Sequence, residues 1–243
     1  MIVQIRRQKQ RQPPFAAPIL PNAFPRLRKK LRTVNTILTF IKNGGVMMYP
    51  LIVCSIALVA IVIERIISLR RMSVDGDELL DVVRTAYAGA DPQTTPPDAA
   101  IRALESYKTP LSRMFTRGLK NAHRSADAIE MGMEQEAAND LPSIEAYLPV
   151  LRTIINIAPL LGLLGTIAGM IASFRSAATT GLSNPTQILG GISEALISTA
   201  TGITLAVIGF VCYNYFSNLT RKMLADMEYY GAELVNFLTN RVD

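Results

Sequence analysis

Along this chain of 243 residues, polar and apolar positions are sorted into blocks. Three runs carry no charge at all: Val46 to Ile63, Thr153 to Phe174 and Ala195 to Phe216. Each is long enough to cross about 30 Å of hydrocarbon at about 1.5 Å per residue. The third run reaches back to Ile188 if Glu194 is accepted inside it. Between the first and second runs, Met72 to Leu148 holds 13 acidic residues. Within it PQTTPPD, residues 92–98, reads as a loop, and the remainder is largely helical in pattern. Residues 126–138, ADAIEMGMEQEAA, are strong helix formers with Ser125 placed as N-cap, and Pro142 is placed to kink the approach to the second run. The second and third runs are joined by SAATTGLSNPTQ, an uncharged turn with Gly181 and an Asn-Pro step, so they form an antiparallel hairpin.

The expected architecture is all-α: a polytopic membrane protein with three transmembrane helices extended into the cytoplasm by helical segments. A basic, disordered N-terminal tail occupies 1–45 and the first transmembrane helix 46–69. A cytoplasmic helical segment covers 70–148. The transmembrane hairpin spans 149–217, with helices at about 153–175 and 188–216, and a cytoplasmic C-terminal helix covers 218–243. Composition agrees, because 49% hydrophobic residues, only 18% charged ones and a mean hydropathy of +0.25 leave too little polar sequence to cover three such runs in water.

Charge sharpens the picture. Residues 1–33 hold nine of the 25 Lys and Arg and none of the 19 acids, so the net charge of +6 belongs to the tail, and the remainder of the chain is acidic. The tail lacks the apolar core of a cleavable signal peptide and any aromatic stacking surface for nucleic acid. Near the run ends, Arg70 and Arg71 follow the first, Arg152 precedes the second, and Arg221 and Lys222 follow the third, whereas the hairpin turn has Arg175 at its edge. By the positive-inside rule the acidic middle segment and the C-terminus are cytoplasmic, and the N-terminus is periplasmic. The basic tail then lies on the wrong side. A translation start at Val34 would remove that conflict, leaving residues 1–33 an artefactual extension.

Candidate chemistry is sparse. Cys54 and Cys212 fall inside the first and third runs and read as buried free thiols. His123 is the single histidine, so a histidine-based metal site cannot be assembled. The runs contain no histidine and no aspartate, which argues against an intramembrane enzyme, and no cofactor is expected. Glycines are more informative: Gly165 and Gly169 have the spacing that lets helix backbones approach in lipid, Gly162 lies beside them, and Gly190, Gly191 and Gly202 suit the third helix to the same contact. Pro159 removes one backbone donor and predicts a local bend. Glu64 and Arg65 read as snorkelling to the interface, and Tyr213 and Asn214 as interface anchors.

The sequences APLLGLLGTIAGM in the second run and ISEALISTATGITLAVIGFVCYN in the third, with ER before LRR closing the first, resemble the MotA/TolQ/ExbB proton-channel family. The resemblance covers about residues 40–225, and three spans with a short C-terminus are similar to its ExbB/TolQ branch. It implies a pentamer in the bacterial inner membrane whose second and third spans surround a proton-conducting lumen. It also implies a single-span partner of the ExbD or TolR type with a membrane aspartate, a TonB- or TolA-like protein spanning the periplasm, and energy coupling to outer-membrane transport or envelope maintenance. By the same resemblance, Thr166 and Thr199 are pore threonines. Read without it, Thr166 could equally return its hydroxyl to a carbonyl of its own helix. Glu194 is a carboxylate inside a span, costly enough to need protein or water around it. Ser198 and Thr201 share its face at i+4 and i+7, while Thr199 is rotated about 140° away. Either Glu194 or Thr199 then faces the lumen and the other a subunit seam, or both lie near the pore. The other function open to such a chain is a non-conducting membrane scaffold that holds a single-span partner.

Overall fold

The computed structural model describes residues 44–87, 97–180 and 185–239, and every regular element among them is an α-helix. The basic tail and most of the PQTTPPD loop lie outside the described residues. In chain order the helices are α1 (Met48–Met72), α2 (Gly76–Tyr87), α3 (Asp98–Leu104), α4 (Pro110–Lys120), α5 (Ala126–Ile144), α6 (Leu148–Thr180) and α7 (Pro185–Leu238). Three of the helical stretches, built on α1, α6 and α7, are long and apolar enough to cross a membrane.

The hairpin of α6 and α7 is longer than the apolar runs. The expected turn at 176–187 is mostly helical: α6 continues to Thr180 and α7 begins at Pro185, where a proline is tolerated because a first-turn N–H has no intrahelical acceptor. At its other end α7 shows no break between the third span and the C-terminal segment. It runs for 54 residues, about 80 Å at about 1.5 Å per residue, which is far more than a bilayer requires. Its last part is therefore a building element of the polar bundle.

That bundle is made of α2 to α5 and the end of α7. Leu79, Val83, Leu104, Phe115, Leu119, Ile129, Ile144, Leu234 and Leu238 form one buried cluster. α4 starts with a reciprocal cap: Thr109 Oγ1 accepts from the Ser112 N–H at 3.3 Å, and Ser112 Oγ accepts from the Thr109 N–H at 3.0 Å. Pro110 follows at the first helical position. Ser125 does occupy the N-cap of α5, but its hydroxyl makes no capping bond; its carbonyl accepts from Ala128 and Ile129. Pro142 lies in the last turn of α5, and Tyr147, with φ of 60°, turns the chain into α6.

The chain's large exposed apolar side chains sit mainly on the three long helices, including Val53 and Ile56 on α1, Leu160 and Phe174 on α6, and Phe210 and Val211 on α7. Such faces are stable against lipid and not against water. Arg65 corrects the snorkelling expectation. Its side chain is 2% exposed, with Nε and Nη2 donating to Glu64 at 2.7 and 2.9 Å. Its Nη1 donates to the carbonyls of Ser143 and Ile144 at 3.3 and 3.1 Å, and the guanidinium lies 5.6 Å from the Tyr147 ring centroid. The last carbonyls of α5 lack intrahelical donors, so a cation satisfies both their hydrogen-bonding and the helix dipole. Arg65 thus fastens the first long helix to the joint between bundle and hairpin.

Candidate functional site

Two helices, α6 and α7, carry all five candidate pore residues, Thr166, Glu194, Ser198, Thr199 and Thr201. The buried positions of α6 are Leu148, Leu151, Ile154, Ala158, Gly162, Gly165, Gly169 and Ser173, and those of α7 include Ala195, Ser198, Gly202, Leu205 and Gly209. Spacings of three and four residues on both helices make a side-by-side seam. Most members carry no side chain or a very small one, so the backbones themselves come together. A Cβ on Gly162 would stand 3.0 Å from Cα of Thr199, one on Gly169 would stand 2.6 Å from the carbonyl oxygen of Gly191, and one on Gly202 would stand 2.5 Å from that of Ala158. On Gly165 it would collide with the Ser198 hydroxyl, and on Gly191 with that of Ser173. Gly190 differs, because among the described residues nothing outside its own helix backbone stands within 4 Å of the Cβ it would carry. Pro159 is accommodated within α6, which continues past it; its missing N–H takes the usual intrahelical donor from the Ile155 carbonyl.

The hydroxyls turn to carbonyls. Thr199 Oγ1 crosses the seam to donate to Gly162 O at 2.8 Å, and Ser198 Oγ lies 3.4 Å from the same oxygen and 3.1 Å from Ala195 O. Thr166 Oγ1 donates to Leu163 O at 2.6 Å, and Thr201 Oγ1 to Ile197 O at 2.8 Å, each within its own helix. Gly162 is one helical turn before Thr166, so Thr199 is bonded to the turn that carries Thr166.

Glu194 is held differently. Half-buried, it flanks the seam on the side opposite Thr199, and its carboxyl packs on Gly45 in the turn that precedes α1. Gly45 has φ of 71°, in the left-handed region that favours glycine, and a Cβ there would collide with the Glu194 carboxyl. No ion pair to Glu194 is formed among the described residues. The structure therefore separates the two groups that the helical wheel set about 140° apart. Thr199 reaches across to α6, and Glu194 turns to the entrance of the first long helix.

The model of the MotA/TolQ/ExbB proton channel family matches residues 106–229, from just before α4 through most of α7. This chain belongs to that family. All the candidate residues of the hairpin fall inside the match. Among its relatives, ExbB-like 3 of Synechocystis sp. is 30% identical over 184 residues, covering 75% of this chain and 85% of the relative. ExbB-like 1 of the same organism is 31% identical over 200 residues, covering 79% and 75%. The Tol-Pal system protein TolQ of Pseudomonas aeruginosa is 30% identical over 116 residues, covering 48% and 50%. Together they place this MotA/TolQ/ExbB chain in the ExbB/TolQ branch, as a multi-pass membrane protein.

Sequence reasoning missed several contributors to the site. The Gly44-Gly45 doublet just before the first apolar run was the available signal for a tight turn there. Ser173, which donates to Gly169 O and Ile188 O at 3.0 Å each, continues the Gly165–Gly169 spacing by four more residues. Gly209 receives Ile155 and Leu58, at 2.9 and 3.0 Å from a Cβ placed there, and is where all three long helices meet.

Proposed function

We propose that this chain is the channel-forming subunit of an inner-membrane energy-coupling complex of the ExbB–ExbD or TolQ–TolR type, driven by the proton gradient. The observation that carries it is Glu194: a carboxylate within an apolar helix, without an ion-pair partner among the described residues, in a chain of this family. A carboxylate in such a place is costly unless it meets water or a partner. In the proposed complex the α6–α7 hairpins of five copies surround a lumen, and α1 lies outside. Thr166, Thr199, Glu194, Ser198 and Thr201 supply its polar groups. A single-span partner brings a membrane aspartate into the lumen, and its alternate protonation and deprotonation bias one component's motion within the other. A TonB- or TolA-like protein carries the work across the periplasm. The acidic bundle and C-terminus face the cytoplasm, as the Arg and Lys flanks of the spans require.

A second reading, a non-conducting scaffold, draws on one feature: the hydroxyls of Thr166, Thr199 and Thr201 all donate to backbone carbonyls. Thr166→Val separates the two, since valine keeps the branched shape and deletes only the hydroxyl. The channel reading expects assembly with the partner and loss of energy-dependent uptake or envelope integrity; normal coupling would favour the scaffold. Glu194→Gln and Glu194→Ala sharpen the test. If Glu194 serves proton flow, both assemble and fail to couple. If it is a packing residue, Gln works nearly normally and Ala loosens the oligomer, seen as smaller species by native mass spectrometry.

A further inference from the structure

In the polar bundle, a groove of about 350 Å³ opens between α5 and the last part of α7. Its floor is methionine: Met114, Met133 and Met227 are buried beneath it. Unbranched thioether side chains adapt to whatever apolar shape is pressed on them. The walls are low, because α5 contributes Ala137 and Ala138 and α7 contributes Gly231 and Ala232, and residues this small let a third helix come close. Three carboxylates, Glu130 and Glu134 on α5 and Glu228 on α7, are exposed along the two rims. None of them forms an ion pair among the described residues, and no Lys or Arg lines the groove. An apolar floor between acidic rims is complementary to a helix with one apolar and one basic face.

We infer, resting on the reading of this chain as a channel subunit with a single-span partner, that the groove holds that partner's cytoplasmic flank as a basic amphipathic helix. Glu228 follows Thr199 by about eight turns of the unbroken α7, which brings it back to within about 20° of the same line. The groove therefore lies on the flank of the hairpin that supplies the lumen, and a helix leaving the lumen toward the cytoplasm passes it. Glu228 stands about 18 Å beyond Phe216, where the apolar run ends, so about a dozen helical residues outside the partner's span reach it. The positive-inside rule makes such a flank rich in Lys and Arg, which the three carboxylates match. Apolar residues at i, i+3, i+4 and i+7 of the same helix enter the methionine floor. This chain's own basic residues, 1–33, precede α1 and are separated from the bundle by a span, so they are not the occupant.

The test places the full chain in phosphatidylcholine nanodiscs and titrates it into a fluorescent peptide of about 18 residues, built of Leu and Lys with Leu at helical spacing. Anisotropy is read against empty nanodiscs. The peptide is expected to bind the chain, and a scrambled peptide of the same composition to bind about tenfold more weakly. Glu130→Gln/Glu134→Gln/Glu228→Gln should weaken binding by about tenfold. Ala232→Trp and Ala138→Trp fill the groove from opposite walls, each at a position where exposed alanine is replaced, and either should weaken it as much. Asp81→Asn/Asp98→Asn/Glu105→Gln removes equal charge from exposed positions elsewhere on the bundle and should leave the affinity within about twofold. Equal losses in the two triple variants, or equal binding of the scrambled peptide, would reduce the effect to general acidity and overturn the site. Smaller oligomers in the groove variants by native mass spectrometry would give the groove to a second copy of this chain and overturn it too. Neither proton flow nor the partner enters this measurement. Normal coupling in Thr166→Val would therefore remove the channel reading and leave the peptide's affinity standing, whereas a parent chain that ignores the peptide would remove the groove alone.

Discussion

The hairpin seam and the polar bundle are built from opposite kinds of residue, although α7 runs through both. In the bundle the buried positions are large, with Phe115, Leu119, Ile129 and Leu234 excluded from solvent. In the seam most are small, Gly162, Gly165, Gly169, Ser198 and Gly202 among them, and there contact is made by backbone atoms and hydroxyls. The solvent explains the difference. Water drives large apolar side chains together, so the bundle gains by burying as much of them as it can. Lipid is as apolar as leucine, which removes that drive, and helices in it associate through close packing and polar contacts that small residues permit.

The largest effect expected from this comparison is in the bundle. Phe115→Ala removes a fully buried ring and should destabilise the purified protein by about 3–5 kcal/mol in chemical unfolding. A loss below about 1 kcal/mol would mean that the bundle is not a packed core. Next comes Gly202→Ala in the seam. One methyl would meet the Ala158 carbonyl at 2.5 Å and Cα of Gly162 at 3.2 Å, with no side chain to move aside, so a loss of about 1–3 kcal/mol is expected. The same substitution at Gly231, farther along the same helix, should have the opposite sign. There the new methyl meets the ends of flexible side chains, Met114 Cε at 3.2 Å and Met133 Cε at 3.5 Å, and the helix gains up to about 1 kcal/mol from alanine's propensity. Equal destabilisation at both glycines would dissolve the distinction between the two regions.

The smallest effect is at Tyr87, in the bundle, whose ring packs edge-on against Phe237 at 5.8 Å and whose hydroxyl is buried without a hydrogen-bond partner among the described residues. Burial pushes its phenol above the usual tyrosine value of 10.0. Because the folded state holds the proton more tightly than the unfolded one, Tyr87 leaves stability intact below about pH 10 and lowers it as pH rises beyond that. Tyr87→Phe should change stability at neutral pH by no more than about 0.5 kcal/mol and flatten the alkaline fall in melting temperature. An unchanged alkaline profile would place the cause elsewhere.

Much of this was legible in the sequence because it rests on local rules. Hydrocarbon thickness and helix rise fix how long an uncharged run must be, so the three spans announce themselves. The spacing of Gly165 and Gly169 marks a close-packed face before any partner is known. Family membership was equally local, carried by GLLGT in the second run and by the third run from Ile192 to Asn214. The helix ends were less legible. Thr180 and Pro185 are compatible with turn or helix, and packing of α6 against α7 decided for helix. Nothing in LTRKMLADMEYYGAELVNFL distinguishes a separate C-terminal helix from the unbroken end of α7, since no proline or glycine cap punctuates the join at residues 216–218.

What the sequence determined by itself, then, is which segments must leave water and that small residues line one face of the hairpin helices, because both follow from the chemistry and spacing of nearby residues; that Gly190 stays outside the contact only the packing decided. Tertiary structure alone decided where individual polar groups went. Arg65 is charged and sits at a span end, yet it is buried because two terminal carbonyls of α5 and the Glu64 carboxylate surround it. Glu194 and Thr199 lie five residues apart on one helix, yet one packs on Gly45 before α1 and the other bonds Gly162 in α6. A helical wheel fixes only the angle between such side chains. The partner each one meets depends on residues more than thirty positions away, which come into reach only when the helices have packed.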